Sequence, residues 1–264
     1  RGELTVSPEQ LNRFVELDRQ GVIIRVHAIT DGTTRAVLDA IEKARKANPG
    51  NARSHHIGHL MVVSPIDVPR FKALNVNAEF SPALWYPTGL GELGFDFLGK
   101  LRMRRWQPVK EFMDAGVNVS YGSDWPSGTP DADCWRGLEA LVTRQDPTGT
   151  RDGQLGAPID LASGIRMLTI NGARTMHQED LTGSIETGKY ADFIVLDRNL
   201  FEIPADQIAD TKVVTTVFEG KVVYRSSTKS NARIDLQRQA TLAALPSFAH
   251  RHCCSVVSLI RSYQ

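Results

Sequence analysis

The residues of this sequence best suited to chemistry stand at the ends of apolar runs. Val22-Ile23-Ile24-Arg25-Val26 has the length of a strand and closes on His27. A second apolar run, Ile57 to Val63, is flanked and entered by His55, His56 and His59. Val117 to Tyr121 leads into Gly122-Ser123-Asp124. In parallel α/β architectures the C-terminal ends of the strands form the active-site face. Two imidazoles and a carboxylate converging there could hold a divalent cation such as zinc. A cation so held lowers the pKa of a water toward ~7. A neighbouring carboxylate can then carry the water's proton to a leaving group.

Each of these residues also has a plainer reading. His27 taken alone reads as a core histidine. His55 and His59 share strand parity and His56 has the opposite one, so at most one or two of the three face a shared site. Asp124 could cap the turn that follows it, and Asp31 reads as the cap of the next helix. Trp85, Tyr86 and Trp125 read equally as packing residues or as the wall of a substrate pocket. His250-Arg251-His252-Cys253-Cys254 is spaced too tightly for a four-ligand zinc site.

The elements that must position these groups alternate. Ser7, Pro8 and Gln10 open a helix as N-cap, first-turn proline and capping box, and Gly21 stops it. Ala36, Val37, Ala40, Ile41 and Ala44 mark a second helix, ended by Asn48-Pro49-Gly50. Ser64-Pro65 starts another, a strand is expected over Val76 to Leu84, and Trp106 to Ala115 reads as helix. Tyr86 to Gly99 is glycine-rich and irregular. Alternation of this kind argues for parallel βα units. About four units are legible, whereas a closed (β/α)₈ barrel needs eight strands. A helix follows Asp160, with Leu161, Ile165, Leu168 and Ile170. Beyond it the pattern turns to strand: Ala191 to Leu196, then a hairpin of Val213 to Phe218 and Lys221 to Tyr224 around Glu219-Gly220. From about Asn231 the periodicity is lost, and the tail is expected to pack poorly.

Composition excludes some classes. The 264 residues carry 31 Lys plus Arg against 30 Asp plus Glu, a net charge of +1. No basic stripe is present, so nucleic acid is not an expected partner. No apolar run approaches the ~20 residues that span a bilayer, so a membrane is not an expected partner either. Cys134, Cys253 and Cys254 make no disulfide framework, which favours a reducing, cytoplasmic compartment. The chain opens on Arg1, and its native N-terminus is expected to lie upstream.

Several of these segments, taken together and in order, are similar to motifs of amidohydrolase family 3, which includes N-substituted formamide deformylases. Val26-His27-Ala28-Ile29-Thr30-Asp31 resembles that family's strand-five motif. His56-Ile57-Gly58-His59-Leu60 resembles its strand six, and Gly122-Ser123-Asp124-Trp125-Pro126 its strand eight. Leu141-Val142-Thr143-Arg144 resembles the segment after strand eight. Leu168 to Ala173, followed by Gly183-Ser184-Ile185-Glu186-Thr187-Gly188-Lys189-Tyr190-Ala191-Asp192-Phe193-Ile194-Val195-Leu196-Asp197, resembles re-entry into a small β-domain. The likeness runs from the N-terminus to about Tyr224. Thr30 departs from the family, which has glycine there, and the His-x-His of its strand one is absent.

The resemblance implies an α/β fold: the C-terminal half of a TIM-like (β/α)₈ metal-dependent hydrolase barrel plus part of a small β-sandwich domain. Residues 1–180 would be barrel strands five to eight, 181–230 a β-domain segment, and 231–264 an irregular tail. His27, His59 and Asp124 would hold a divalent metal ion, zinc first, with Asp124 also the catalytic base. His56 and His55 are reserve metal or substrate contacts, and Trp85, Trp125 and Arg144 are expected to bind substrate. Lys189 belongs to a structural turn. The implied activity is hydrolysis of a non-peptide carbon–nitrogen bond in a small amide or formamide. The competing expectation is a truncated, inactive remnant, completed by a missing N-terminal half or by a homo-oligomer.

Overall fold

A computed structural model describes residues 7–84, 96, 98, 99, 101–127, 132–149 and 156–227. Four strands, β1 (Arg25–Ala28), β2 (His55–His59), β3 (Val76–Phe80) and β4 (Val119–Tyr121), pair side by side in chain order. All three pairings are parallel, as the alternation of elements requires.

Alternation along these strands separates two kinds of surface. Ala28, Ile57, Val76, Ala78, Phe80 and Val119 enter one apolar cluster with Val37, Leu38, Ile41, Phe71 and Phe112. The latter come from helices α3 (Asp31–Ala47), α4 (Val68–Ala73) and α5 (Val109–Asp114), which cover that face. Phe112 meets Phe71 and Phe80 edge-on, with centroids 4.8 and 5.3 Å away. Truncating such a fully buried ring costs about 3–5 kcal/mol. By strand parity the opposite face carries Arg25, His27, His56, Gly58, Asn77, Glu79 and Ser120. A sheet with such unequal faces cannot slip by one residue without burying charge.

Element boundaries moved where local chemistry overrode periodicity. The first expected helix is broken at Arg13 into α1 (Pro8–Asn12) and α2 (Phe14–Arg19). Strand β2 begins at His55 rather than Ile57 and ends at His59, because His59 and Leu60 take φ of 76° and 47°. Strand β3 stops at Phe80, short of the expected Leu84, since Pro82 lacks a ladder donor and opens a 3₁₀ turn. Thr30, not Asp31, caps α3, its Oγ1 accepting the Thr33 N–H. Asp31 instead accepts from the Gly32 N–H at 3.0 Å and from Arg102 at 2.7 Å.

The small sheet is antiparallel: β5 (Phe193–Leu196), β6 (Val213–Phe218) and β7 (Lys221–Arg225). Its hairpin turns at Glu219 and Gly220 with φ of 48° and 75°. Positive φ at both central residues matches the right-handed twist of the flanking strands. Trp135 and Leu138 of α6 (Trp135–Thr143) pack with Ile194, Leu200 and Ile208 to seat this sheet. Between them run α7 (Leu161–Leu168), capped by Asp160, and α8 (Ile170–Thr175). Gly183, in the turn-rich segment after α8, has φ of 90°, and a Cβ there would lie 2.7 Å from that of Ala173. Lys189 donates to the Ser184 hydroxyl at 2.7 Å within the same turn. The tail beyond Ser227, including the His250–Cys254 run, and Trp85 lie outside the described residues.

Candidate functional site

His27 projects from the interior face of β1. His59 stands at the end of the neighbouring strand, opposite Ala28. Strict alternation would send His59 to the helix-covered side with His55 and Ile57. Its φ of 76° breaks the alternation and brings its ring to 4.4 Å from that of His27, at an interplanar angle of 59°. A left-handed conformation in a non-glycine residue costs roughly 1–2 kcal/mol, and such strain concentrates at functional positions.

Asp124 follows β4 in the same left-handed region, φ 54°. Its backbone, not its side chain, closes the turn: the carbonyl accepts from the Ser127 N–H at 2.7 Å. The carboxylate is left to face His59, with Oδ1 3.9 Å from Nε2. The other nitrogen of His59 is held by the Ser81 hydroxyl, at 3.1 Å. When Nδ1 donates to Ser81, Nε2 presents a lone pair toward Asp124. Burial pushes the His59 pKa below the usual histidine range. The neighbouring His27 and Arg25 act in the same direction, against the opposing pull of Asp124.

The other two histidines of β2 have different surroundings. His55 is fully buried at the start of the strand. Its Nδ1 accepts from the Ile24 N–H at 3.1 Å, and its Nε2 donates to Asp18 at 2.8 Å. Both nitrogens are satisfied by the protein, so the structure corrects the expectation of His55 as a metal or substrate contact. His56 lies on the interior face, 6% exposed, with Nδ1 lacking a hydrogen-bond partner among the described residues. Burial lowers its pKa, and the pull of Glu79 opposes this.

Trp125 is half-exposed beside Asp124. Arg144, expected against substrate, is 1% exposed, and it donates to the Trp106 carbonyl at 2.7 Å. That is a packing role, made possible by its left-handed position at the end of α6. Sequence reasoning passed over Ser81, Arg25 and Glu79. Only the parity of Arg25 with His27 was available as a signal.

The donor set suits a divalent cation in part. Two bonds of ~2 Å to a common ion would span the 3.9 Å between His59 Nε2 and Asp124 Oδ1 only when nearly collinear, so a tetrahedral ion would draw the two groups closer. Among the described residues no group of three His, Cys, Asp or Glu side chains is already arranged as a cage. The His27 ring, tilted by 59° against that of His59, is the neighbouring candidate for a third donor.

The amidohydrolase family pattern matches residues 2–224. The chain belongs to the amidohydrolase family. Among curated relatives it is 26% identical to the N-substituted formamide deformylase of Arthrobacter pascens, over 80% of this chain and 38% of that protein. It is also 26% identical to the protein LONG AFTER FAR-RED 3 of Arabidopsis thaliana, over 83% of this chain and 37% of that one. This amidohydrolase chain therefore spans about two-fifths of the length of these relatives. Among solved structures, an uncharacterized metal-dependent hydrolase from Pyrococcus furiosus superposes with a TM-score of 0.57 at 23% identity, covering 72% of this chain and 36% of that one. An adenosine deaminase from Xanthomonas campestris with bound zinc gives 0.56 at 17% identity, over 89% of this chain and 54% of that one. These likenesses identify the fold: the four parallel strands and their helices form part of a TIM-like barrel, joined to a small antiparallel β-element.

Proposed function

We propose that this amidohydrolase supplies the strand-end face of an active site that hydrolyses a non-peptide carbon–nitrogen bond, in an amide or formamide. The observation that carries the reading is His59 at the end of its strand, its Nε2 3.9 Å from Asp124 Oδ1 and its ring 4.4 Å from that of His27. Relatives named as a formamide deformylase and as 5-methylthioadenosine/S-adenosylhomocysteine deaminases support the reaction class. His27, His59 and Asp124 would hold a divalent cation, zinc by the chemistry of two imidazoles and a carboxylate. Bound there, it would polarise the scissile carbonyl and acidify a water.

The chain's own groups do the rest. Ser81 fixes the ring of His59 and the proton on its Nδ1. Asp124 accepts a proton from the attacking water and returns it to the departing nitrogen, so that an amine rather than an amide anion leaves. Trp125 offers an apolar wall for the substrate.

The test is zinc binding by calorimetry with the purified chain, alongside hydrolysis of an N-formyl amine panel. Asp124→Asn and His59→Ala should each lower zinc affinity at least tenfold and abolish any turnover. Zinc binding that ignores both substitutions would remove the reading. A second reading, a chain without turnover, is favoured by the lack of a ready-made three-donor cage among the described residues. It predicts zinc binding without turnover.

A further inference from the structure

Gln107 is fully buried in the loop that leads into α5, and the proposed chemistry leaves it unused. It precedes Pro108, and proline favours extended backbone in the residue before it. Gln107 stands instead in the left-handed region, φ 47°. Its main chain is tied on both sides. The N–H donates to the Met61 carbonyl at 2.9 Å, and the carbonyl accepts from the Val109 N–H at 2.8 Å and from Arg144 at 3.4 Å. Its side-chain Nε2 donates to the Ser81 carbonyl at 3.3 Å, while Oε1 has no partner among the described residues. A buried acceptor left unpaired is a cost, and an apolar side chain of the same length would pack without it. Fold maintenance alone is a weak reason for an amide at this position.

What the amide joins is the support of His59. Met61 stands two residues after His59, and Ser81 is the residue whose hydroxyl meets His59 Nδ1 at 3.1 Å. Gln107 thus ties the loop after β2 to the loop after β3. The Ser81 carbonyl also accepts from the Leu84 N–H, at 3.0 Å. Two donors on one carbonyl fix its direction, and with it the backbone from which the Ser81 hydroxyl projects. His59, Gln107 and Arg144, with φ of 76°, 47° and 57°, are linked through Ser81 in one chain of buried hydrogen bonds. Backbone in sparsely populated regions persists only where the surroundings over-determine it, and it clusters at functional sites.

We propose that Gln107 is a positioning residue for His59. It acts through Ser81 to keep the ring's proton on Nδ1 and to hold the lone pair of Nε2 toward Asp124. Arg144 supports it from the far side, which gives that buried arginine an indirect part in the site. The proposal rests on the hydrolase reading for its consequence, cation affinity. The position of the proton is measured with no cation present.

The test is ¹H–¹⁵N NMR of the histidine ring nitrogens in the metal-free chain at about pH 8, above the ordinary histidine pKa, followed by zinc titration of the same samples. His59→Gln assigns the signals. In the unsubstituted chain His59 should carry its proton on Nδ1. Gln107→Met keeps the length of the side chain and removes the amide. It should turn His59 into a mixture of tautomers and lower zinc affinity about tenfold, the low end for loss of an orienting partner, with the unfolding midpoint unchanged or raised. His55, held by Asp18, should keep its signals. If Gln107→Met does not fold, Gln107→Gly carries the same comparison, because glycine adopts the left-handed backbone at no steric cost. A proton on Nε2 of His59 in the unsubstituted chain, or His59 signals that ignore the substitution, would overturn the positioning role, whatever happens to stability or zinc affinity. A tautomer shift in a chain that binds no zinc keeps the positioning role and sinks the cation site alone.

Discussion

His55 and His59 sit on the same strand, four residues apart, and both are almost wholly buried. The protein uses them in opposite ways. At the start of β2, His55 spends one nitrogen on a backbone N–H and the other on Asp18. Asp18 is a hub that also takes Arg45 at 2.7 Å and the side-chain amides of Asn48 and Asn51, each at 2.9 Å. At the end of the strand, His59 spends one nitrogen on Ser81 and turns the other toward Asp124 across 3.9 Å. One end of the sheet is closed polar structure, and the other keeps a donor free. Residue type and burial do not separate these histidines. Hydrogen-bond saturation does.

The comparison breaks most sharply at Asp18. Asp18→Ala removes a fully buried carboxylate, leaves His55 Nε2 without its acceptor, and takes one acceptor each from Arg45, Asn48 and Asn51, which keep backbone carbonyls. Breaking a buried charged network from one side costs about 3–5 kcal/mol, and urea denaturation should show a loss of that size. Zinc affinity of the molecules that remain folded should be unchanged. A large stability loss from Asp124→Asn, with little from Asp18→Ala, would reverse the assignment of the two ends.

Much of this division was legible in the sequence, and the illegible parts have physical reasons. Strand order, parallel pairing and the placing of His27, His59 and Asp124 at strand ends follow from apolar runs closing on polar residues. His59 by contrast has the parity of His55, and only its positive φ brings it to His27. Periodicity does not encode a departure from the pleat. The link of His55 to Asp18 spans 37 positions and that of Arg25 to Glu79 spans 54, so neither leaves a local pattern. Arg144 misled because the resemblance of Leu141 to Arg144 to the family's segment after strand eight implied a substrate contact, while its burial is a tertiary fact.

Acid should sharpen the contrast next. The pKa values of His55, His56 and His59 are all lowered in the fold, chiefly by burial. The unfolded chain therefore binds protons first as the pH falls below ~6.5, and stability declines from there until the folded groups protonate in turn. Each histidine contributes up to ~1.4 kcal/mol per pH unit within that window. His56, with Nδ1 unpartnered, can be replaced without breaking the Asp18 network. His56→Gln should flatten the decline between about pH 6.5 and 5 by roughly one histidine's share. An unchanged slope, measured by denaturation at several pH values, would show that His56 titrates in the fold as it does in the unfolded chain.

The smallest expected effect comes from Ser81. Among the described residues its hydroxyl touches only the far nitrogen of His59, at 3.1 Å, and it is fully buried. Ser81→Ala deletes one neutral hydrogen bond, worth about 1 kcal/mol of stability. On the proposed reading it also frees the ring to rotate and lets the proton move to Nε2, the nitrogen meant to hold the cation. Loss of such an orienting partner typically costs 10–100-fold in metal affinity. His55 has no equivalent, because its orienting partner and its functional partner are both structural. Zinc titration of Ser81→Ala should therefore show a tenfold or greater loss of affinity with a modest shift in the unfolding midpoint. A shift in stability with zinc affinity intact would make Ser81 ordinary packing, and would place His59 alongside His55 as a structural histidine.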